Sequence, residues 1–284
     1  MPTHYHDDHV AGINLLRDVE ATELWCPENF ADVLEQPRRF DLPCLWFDPI
    51  PVDRRLPLER PFTWREHELT PYALPGHTFY AAAIAFEVDG RRILATGDQQ
   101  AVAGGPDGPD VLNYQYRNRF RIDDFVDSAE LYLRLQPEII VGGHWLPREV
   151  TPAYLDRLLA DGRRVAELHR ELLPLDEVDF GAEGFGARIE PYRSQATPGE
   201  VVRLSVEVRN PFAAEADAEV RLRVPPGWRE AAPQRATLPA SGVATVTFHV
   251  VAGSEPERRA RVAAELTVDG RPFGQQAEAL VDVG

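Results

Sequence analysis

The 284-residue sequence contains no lysine: all 30 of its basic residues are arginine. Without a side-chain primary amine, neither Schiff-base catalysis nor a lysine-closed phosphate loop is available to it. Cysteine is nearly as scarce, with only Cys26 and Cys44, too few for a disulfide scaffold or a cysteine-rich zinc cluster. Each cysteine is read as a small buried apolar side chain. Basic residues are outnumbered by 46 acidic ones, giving a formal net charge of −16, which argues against a nucleic-acid or anionic-membrane binder. Long apolar runs are missing as well: AAAIAF at 81–86 is well short of a bilayer span. No leader precedes the first motif, so a soluble, cytoplasmic protein is expected.

What remains is the composition of a globular protein, 44 % hydrophobic and 27 % charged, in a chain long enough for one large domain or two ordinary ones. Up to about residue 180 the pattern alternates between helix-like and strand-like segments. The spacing predicts a short helix over Val10 to Val19, with Val10, Ile13, Leu15 and Leu16 supplying apolar positions. Short strands are expected in TWREHELTPYAL, and a hairpin in FYAAAIAFEVDGRRILATGD, turning at Asp89-Gly90. A loop over AVAGGPDGPD, a helix from about 122 to 135, a strand EIIVGG and a long helix over about 151–173 complete an α/β layout. Beyond GAEGFG the period changes to two in VVRLSVEVRN, ADAEVRLRV, GVATVTFHVV and RVAAELTV, as expected for antiparallel strands with one wet face. The predicted domains are therefore 1–180, α/β, and 187–284, a small β-sandwich.

The chemistry is concentrated in THYHDDHVAG, residues 3–12. His4 and His6 are two apart, so in extended chain they leave the same face and can converge on one ion. Asp8 and His9 follow at once, and four candidate ligands within six residues suit two ions more comfortably than one. A solvated histidine-rich tail or a tag remnant is the alternative at this point. Three later residues favour a metal site: His77 in LPGHT before the hairpin, Asp98 in ATGD at its end, and His144 in GGHW after the strand EIIV. All three fall at strand ends, where α/β folds gather functional groups.

His4-Tyr5-His6-Asp7-Asp8-His9, then Pro75-Gly76-His77-Thr78, Gly97-Asp98 and His144 resemble in order and type the ligand pattern of the metallo-β-lactamase-fold hydrolases. The resemblance implies that His4, His6 and His77 hold a first metal, and Asp8, His9 and His144 a second, with Asp98 bridging. It also implies two divalent ions, zinc first with iron or manganese as alternatives, a metal-activated hydroxide, and catalytic roles for Asp98 and Asp8. Its fold would be an αββα sandwich. Only Met1 to Thr3 precede His4, so the first supporting strands are expected to be missing and the domain incomplete. His6 stands where the redox members of the superfamily carry a carboxylate, which favours hydrolysis. The expected substrate is a small ester, thioester or lactone; a phosphodiester, or an inactive scaffold, is the alternative.

Tyr114, Tyr116, Asn118 and Arg119 are candidates to select substrate, and Trp145 to wall the pocket. His67, His169 and His249 are read as structural or exposed. VEVRNPF, VPPGW, PASG and the turn at Asp269-Gly270 resemble bacterial immunoglobulin-like modules of the type found beside α-galactosidases. That module is read as a spacer or a weak contact for carbohydrate or protein, with Trp228 packed at its end. A homodimer is a further option.

Overall fold

A computed structural model describes residues 1–103, 108–115, 118–180 and 186–284. The chain divides into one unit made of Met1–Pro37 and Leu42–His169 and a second made of Arg38–Asp41 and Arg170–Gly284. The division falls inside the last turn of a helix, earlier in the chain than the change of period; the expected boundary at Gly181–Phe185 lies outside the described residues. Among the described residues no helix is long and apolar enough to cross a membrane.

The first unit is α/β. It runs α1 (Asp7–Val10), α2 (Ile13–Glu20), β1 (Trp25–Pro27), α3 (Glu28–Glu35), β2 (Arg54–Leu56), β3 (Phe62–Trp64), β4 (His67–Ala73), β5 (Ala82–Val88), β6 (Arg91–Gly97), β7 (Gln100–Val102), β8 (Asp110–Leu112), α4 (Asp124–Leu135), β9 (Ile139–Gly142), β10 (Arg148–Glu149) and α5 (Pro152–Leu172). A six-stranded sheet has the order β10-β9-β6-β5-β4-β3, with β6 and β9 parallel and the other pairs antiparallel. β1 pairs with β2, and β7 with β8, as separate short ribbons.

Local chemistry accounts for the main elements. Asp89 at φ 53° and Gly90 at φ 74° give the two left-handed residues that a tight hairpin between β5 and β6 demands. α5 begins at Pro152, whose missing N–H costs nothing at a first helical position, and the Thr151 hydroxyl accepts from Tyr154 N at 3.2 Å. Leu74, Ala83, Leu94, Leu131, Tyr132, Ile140, Leu155 and Leu158 pack into one core between sheet and helices. The predicted helix over Val10 to Val19 is instead two helices, broken at Ala11-Gly12. Of its four apolar positions only Val10 is buried: α2 buries no residue and leaves Leu15 and Leu16 exposed. α2 is held from its polar side, by Arg17 paired with Asp53 and by Asn14 donating to Pro49 O at 3.2 Å.

The second unit has no helix of its own after α5 among the described residues. It comprises β11 (Ala187–Glu190), β12 (Arg193–Ala196), β13 (Val201–Arg209), β14 (Ala216–Arg223), β15 (Gln234–Leu238), β16 (Val243–Val251), β17 (Glu257–Val268) and β18 (Arg271–Val283). Two sheets, β11-β13-β16 and β12-β18-β17-β14-β15, share a core in which Leu204, Val206, Val208 and Phe248 meet Val220, Leu222, Val262 and Val281. Full burial of each such side chain is worth about 1.5–3 kcal/mol. Trp228 belongs to that core and is 8 % exposed.

Candidate metal centre

The site forms where strand ends and the N-terminal segment meet. Ala82 N donates to Thr3 O at 2.7 Å and His4 bridges Ala81, which lays the segment along the start of β5. His6 bridges Leu45, and Asp7 N donates to Cys44 O at 2.8 Å. His77 sits in the turn between β4 and β5, Asp98 follows β6, and His144 follows β9, where Gly143 N donates to Gly97 O at 2.9 Å. Gly143 has no room for a side chain: a Cβ there would lie 2.4 Å from Asp98 Oδ1 and 2.6 Å from His9 Cε1.

These elements bring seven side chains into two groups. His4, His6 and His77 offer nitrogens within 4.8 Å of one another, and so do the ligand atoms of Asp8, His9, Asp98 and His144. The groups adjoin, since the His4 and His9 rings are 4.2 Å apart between centroids. In the second group Asp98 Oδ1 lies 3.3 Å from His9 Nε2 and its Oδ2 lies 3.2 Å from His144 Nε2. Asp8 Oδ2 is 3.0 Å from the same His144 nitrogen. Asp98 is therefore grouped with the second set while lying close enough to His4 for the two to be electrostatically coupled.

Burial and neighbours set the protonation states. Burial, reinforced by His6, His9 and His77, pushes His4 down to about 2. Burial and then His77 push His6 down to about 4, and burial lowers His77 too. All three imidazoles are thus neutral at pH 7, the state that binds metals. Burial would raise Asp98, yet the contact with His9 and the electrostatic coupling to His4, His9 and His144 outweigh it and hold the carboxyl at about 2. His9 is raised by its contact with Asp98, with burial opposing. That contact, at 3.3 Å, is an ion pair and not a well-aligned hydrogen bond, and neither His9 Nε2 nor Asp98 Oδ1 has a hydrogen-bond partner among the described residues.

The donor set fits a cation. His4 Nε2, His6 Nε2, His9 Nε2 and Asp98 Oδ1 are buried without a hydrogen-bond partner, and such atoms are costly unless something satisfies them. A carbonyl can only accept, so the 3.0 Å contact of His77 Nδ1 with Asn113 O places the proton on Nδ1. That leaves Nε2 as a lone pair, 3.2 Å from His6 Nδ1. Nitrogens in the first group and mixed nitrogen and oxygen in the second are the chemistry of zinc and neighbouring divalent metals.

Other sequence candidates are distributed differently. Asn118 is fully buried and donates to His77 O at 2.8 Å, so it braces the His77 turn rather than facing substrate. Tyr114 stacks on Phe120 and His169, Arg119 accepts from Phe79 N through its carbonyl, and Tyr116 lies outside the described residues. Trp145 is half-buried with its ring 5.6 Å from that of His144. Cys26 is buried, whereas Cys44 is exposed, because its backbone, at φ 50°, is what contacts the metal loop. His67 is half-buried at the start of β4 and His249 is exposed on β16.

Two bracing residues escaped the sequence. Asn113 accepts from His77 and donates through Nδ2 to Asp98 O at 2.8 Å, touching both groups. Gln99 accepts from His77 N at 3.1 Å and donates to Pro75 O at 2.9 Å. Gln99 follows Asp98 directly, which is the one signal that could have singled it out.

A comparison with curated proteins finds no match. Among solved structures the chain is similar to a class B3 di-zinc metallo-beta-lactamase from an Alaskan soil metagenome, at 18 % identity and TM-score 0.44, covering 59 % of this chain and 70 % of that one. It is also similar to a metallo-beta-lactamase from Elizabethkingia meningoseptica, at 16 %, 0.45, 60 % and 70 %. A subclass B3 enzyme of Bradyrhizobium japonicum matches at 18 %, 0.41, 61 % and 70 %. The model of the Metallo-beta-lactamase superfamily matches residues 2–144, which is 143 of 284 positions and takes in every one of the seven side chains. The chain belongs to the metallo-beta-lactamase superfamily.

Proposed function

We propose that the chain is a hydrolase working with two divalent ions, zinc before iron or manganese, on small esters, thioesters or lactones. The observation that carries this reading is the convergence of three buried neutral imidazoles, with unsatisfied nitrogens, beside a carboxylate-bearing second group. His4, His6 and His77 would hold one ion and Asp8, His9 and His144 the other, with Asp98 serving both. Bound there, the ions supply Lewis acidity and bring the pKa of coordinated water toward neutrality.

The chain's own residues do the rest. Asp98, ionised down to about 2, offsets cationic charge and orients His9 and His144 through its two oxygens. Asp8 has a side chain 50 % exposed, so its carboxylate faces the side from which water and substrate arrive, where it can orient the attacking water and take its proton. The segment after His144 presents Trp145, its ring 5.6 Å from that of His144, and an exposed Leu146. Apolar side chains next to a candidate ligand and a net charge of −16 suit an uncharged acyl group better than a polyanionic phosphodiester. The second unit, with its two sheets on one core, fits the immunoglobulin-like spacer expected there and carries no part of the chemistry.

The test is hydrolysis of a panel of small esters, thioesters, lactones and phosphodiesters by zinc-reconstituted full-length protein, before and after chelation. Turnover of the carbonyl substrates should vanish on chelation and return with metal, and Asp98→Asn should lower it by more than ~100-fold, since outer residues alone cost 10–100-fold. Preferential cleavage of phosphodiesters would overturn the substrate class. No metal-dependent turnover of any substrate would overturn the enzyme reading in favour of an inactive scaffold.

A further inference from the structure

Asp110, at the start of β8, is a carboxylate 8 % exposed and lies outside both ligand groups. A buried carboxylate needs charged or hydrogen-bonding partners, and Asp110 has two. Arg148 Nη2 donates to Oδ1 at 2.7 Å, and the Tyr154 hydroxyl donates to Oδ2 at 2.8 Å. Arg148 also donates to Gly108 O at 3.3 Å.

The placement of these residues ties them to the second group. Arg148 opens β10 and lies four positions after His144. The segment carrying His144 is thus fixed at one end by the bond from Gly143 N to Gly97 O, and at the other by Arg148 on Asp110. On its own side, Asp110 belongs to the β7–β8 ribbon, which leaves the site just after Asp98 and returns to it at Asn113. The carboxylate therefore closes a loop from Asp98, through β7 and β8, to the strand that follows His144.

The two ligand groups depend on this closure unequally. Apart from Asn113, which ends the ribbon, His77 is braced by Gln99 and Asn118 outside it, and His4 and His6 are buried. His144 has a side chain 44 % exposed, and its ring contacts Asp8, Asp98, His9 and Trp145. Asp8 is itself half-exposed, so its contact adds little stiffness. We propose that Asp110, acting through Arg148 and Tyr154, is a positioning residue that sets His144 against Asp98 and so governs binding of the second metal ion in preference to the first. This inference rests on the ligand reading given above.

The experiment is competition of metal-free full-length wild type, Asp110→Asn and Tyr154→Phe for zinc against a graded chelator, resolving the first and second equivalents. Thermal unfolding of each metal-free protein is measured alongside. Asp110→Asn should weaken the second equivalent by about 10–100-fold and leave the first within about 2-fold. Tyr154→Phe, which keeps the ion pair and removes one hydroxyl, should weaken the second equivalent in the same direction by less, and serves alone if Asp110→Asn does not fold. Equal weakening of both equivalents, or unchanged affinity for both in folded variants, would overturn the proposal while leaving the ligand reading intact. A wild type that retains no zinc would overturn the ligand reading, and this proposal with it.

Discussion

The two ligand groups stand side by side yet are built to different standards. His4, His6 and His77 are 1 %, 4 % and 2 % exposed, and the His77 turn is held by the buried amides of Gln99 and Asn118 and by the carbonyl of Asn113. The second group mixes a buried carboxylate, Asp98, with a His144 side chain 44 % exposed and an Asp8 side chain 50 % exposed. A rigid, dry, nitrogen-rich set favours tight retention of an ion, and a wetter set leaves room for water and substrate. On the proposed reading, retention and reactivity would be divided between neighbouring groups of one centre.

The largest effect should come from a residue that underlies both. Asp98→Ala removes the carboxylate facing His9 and His144 and standing beside His4. It should abolish the second equivalent of metal, weaken the first, and lower hydrolysis by more than ~100-fold, as read by elemental analysis and rate assays. Next come single ligands: His4→Ala should cost both equivalents, His144→Ala only the second. If His144→Ala also empties the first group, the division is wrong.

Gly143→Ala should mimic the loss of His144 without replacing a ligand, because its Cβ would push against Asp98 and His9 of the second group. The second equivalent weakens there by about 10–100-fold and the first persists.

In chelated protein a pH effect follows from the buried imidazoles. The folded pKa values of His4 and His6, about 2 and about 4, lie below the unfolded value of about 6.5. The unfolded chain therefore binds protons first, and stability falls as pH drops from about 6.5 toward 4. His77, whose pKa is lowered, adds to this trend and His9, whose pKa is raised, opposes it, so the urea midpoint should fall over this range. The smallest effects belong to His67→Gln and His249→Gln, which should leave metal content unchanged and shift stability by less than about 0.5 kcal/mol.

Much of this was legible in the sequence, for reasons that differ by region. The seven side chains that the structure gathers into two groups could be singled out because candidate metal ligands are of few residue types and these recur in order at strand ends. β5, β6, α4 and α5 followed from period and turn chemistry. α2 misled, because Leu15 and Leu16 have helical spacing but stay exposed, with no surface among the described residues that buries them. Asn113 and Asp110 carried no local pattern, and Asn118 was read as a substrate contact: their roles arise from contacts 36, 38 and 41 positions away along the chain, which only the folded topology creates. Cys44 escaped for a similar reason, since its exposure is set by the His6–Leu45 bridge rather than by its residue type.

The most direct test of the central claim is calorimetric titration of the metal-free, tag-free 284-residue chain with zinc. The structure predicts about two equivalents per chain, the first bound more tightly and surviving His144→Ala, the second lost in that variant. Binding of one equivalent or none, or two equivalents that both disappear with His144, would contradict the account.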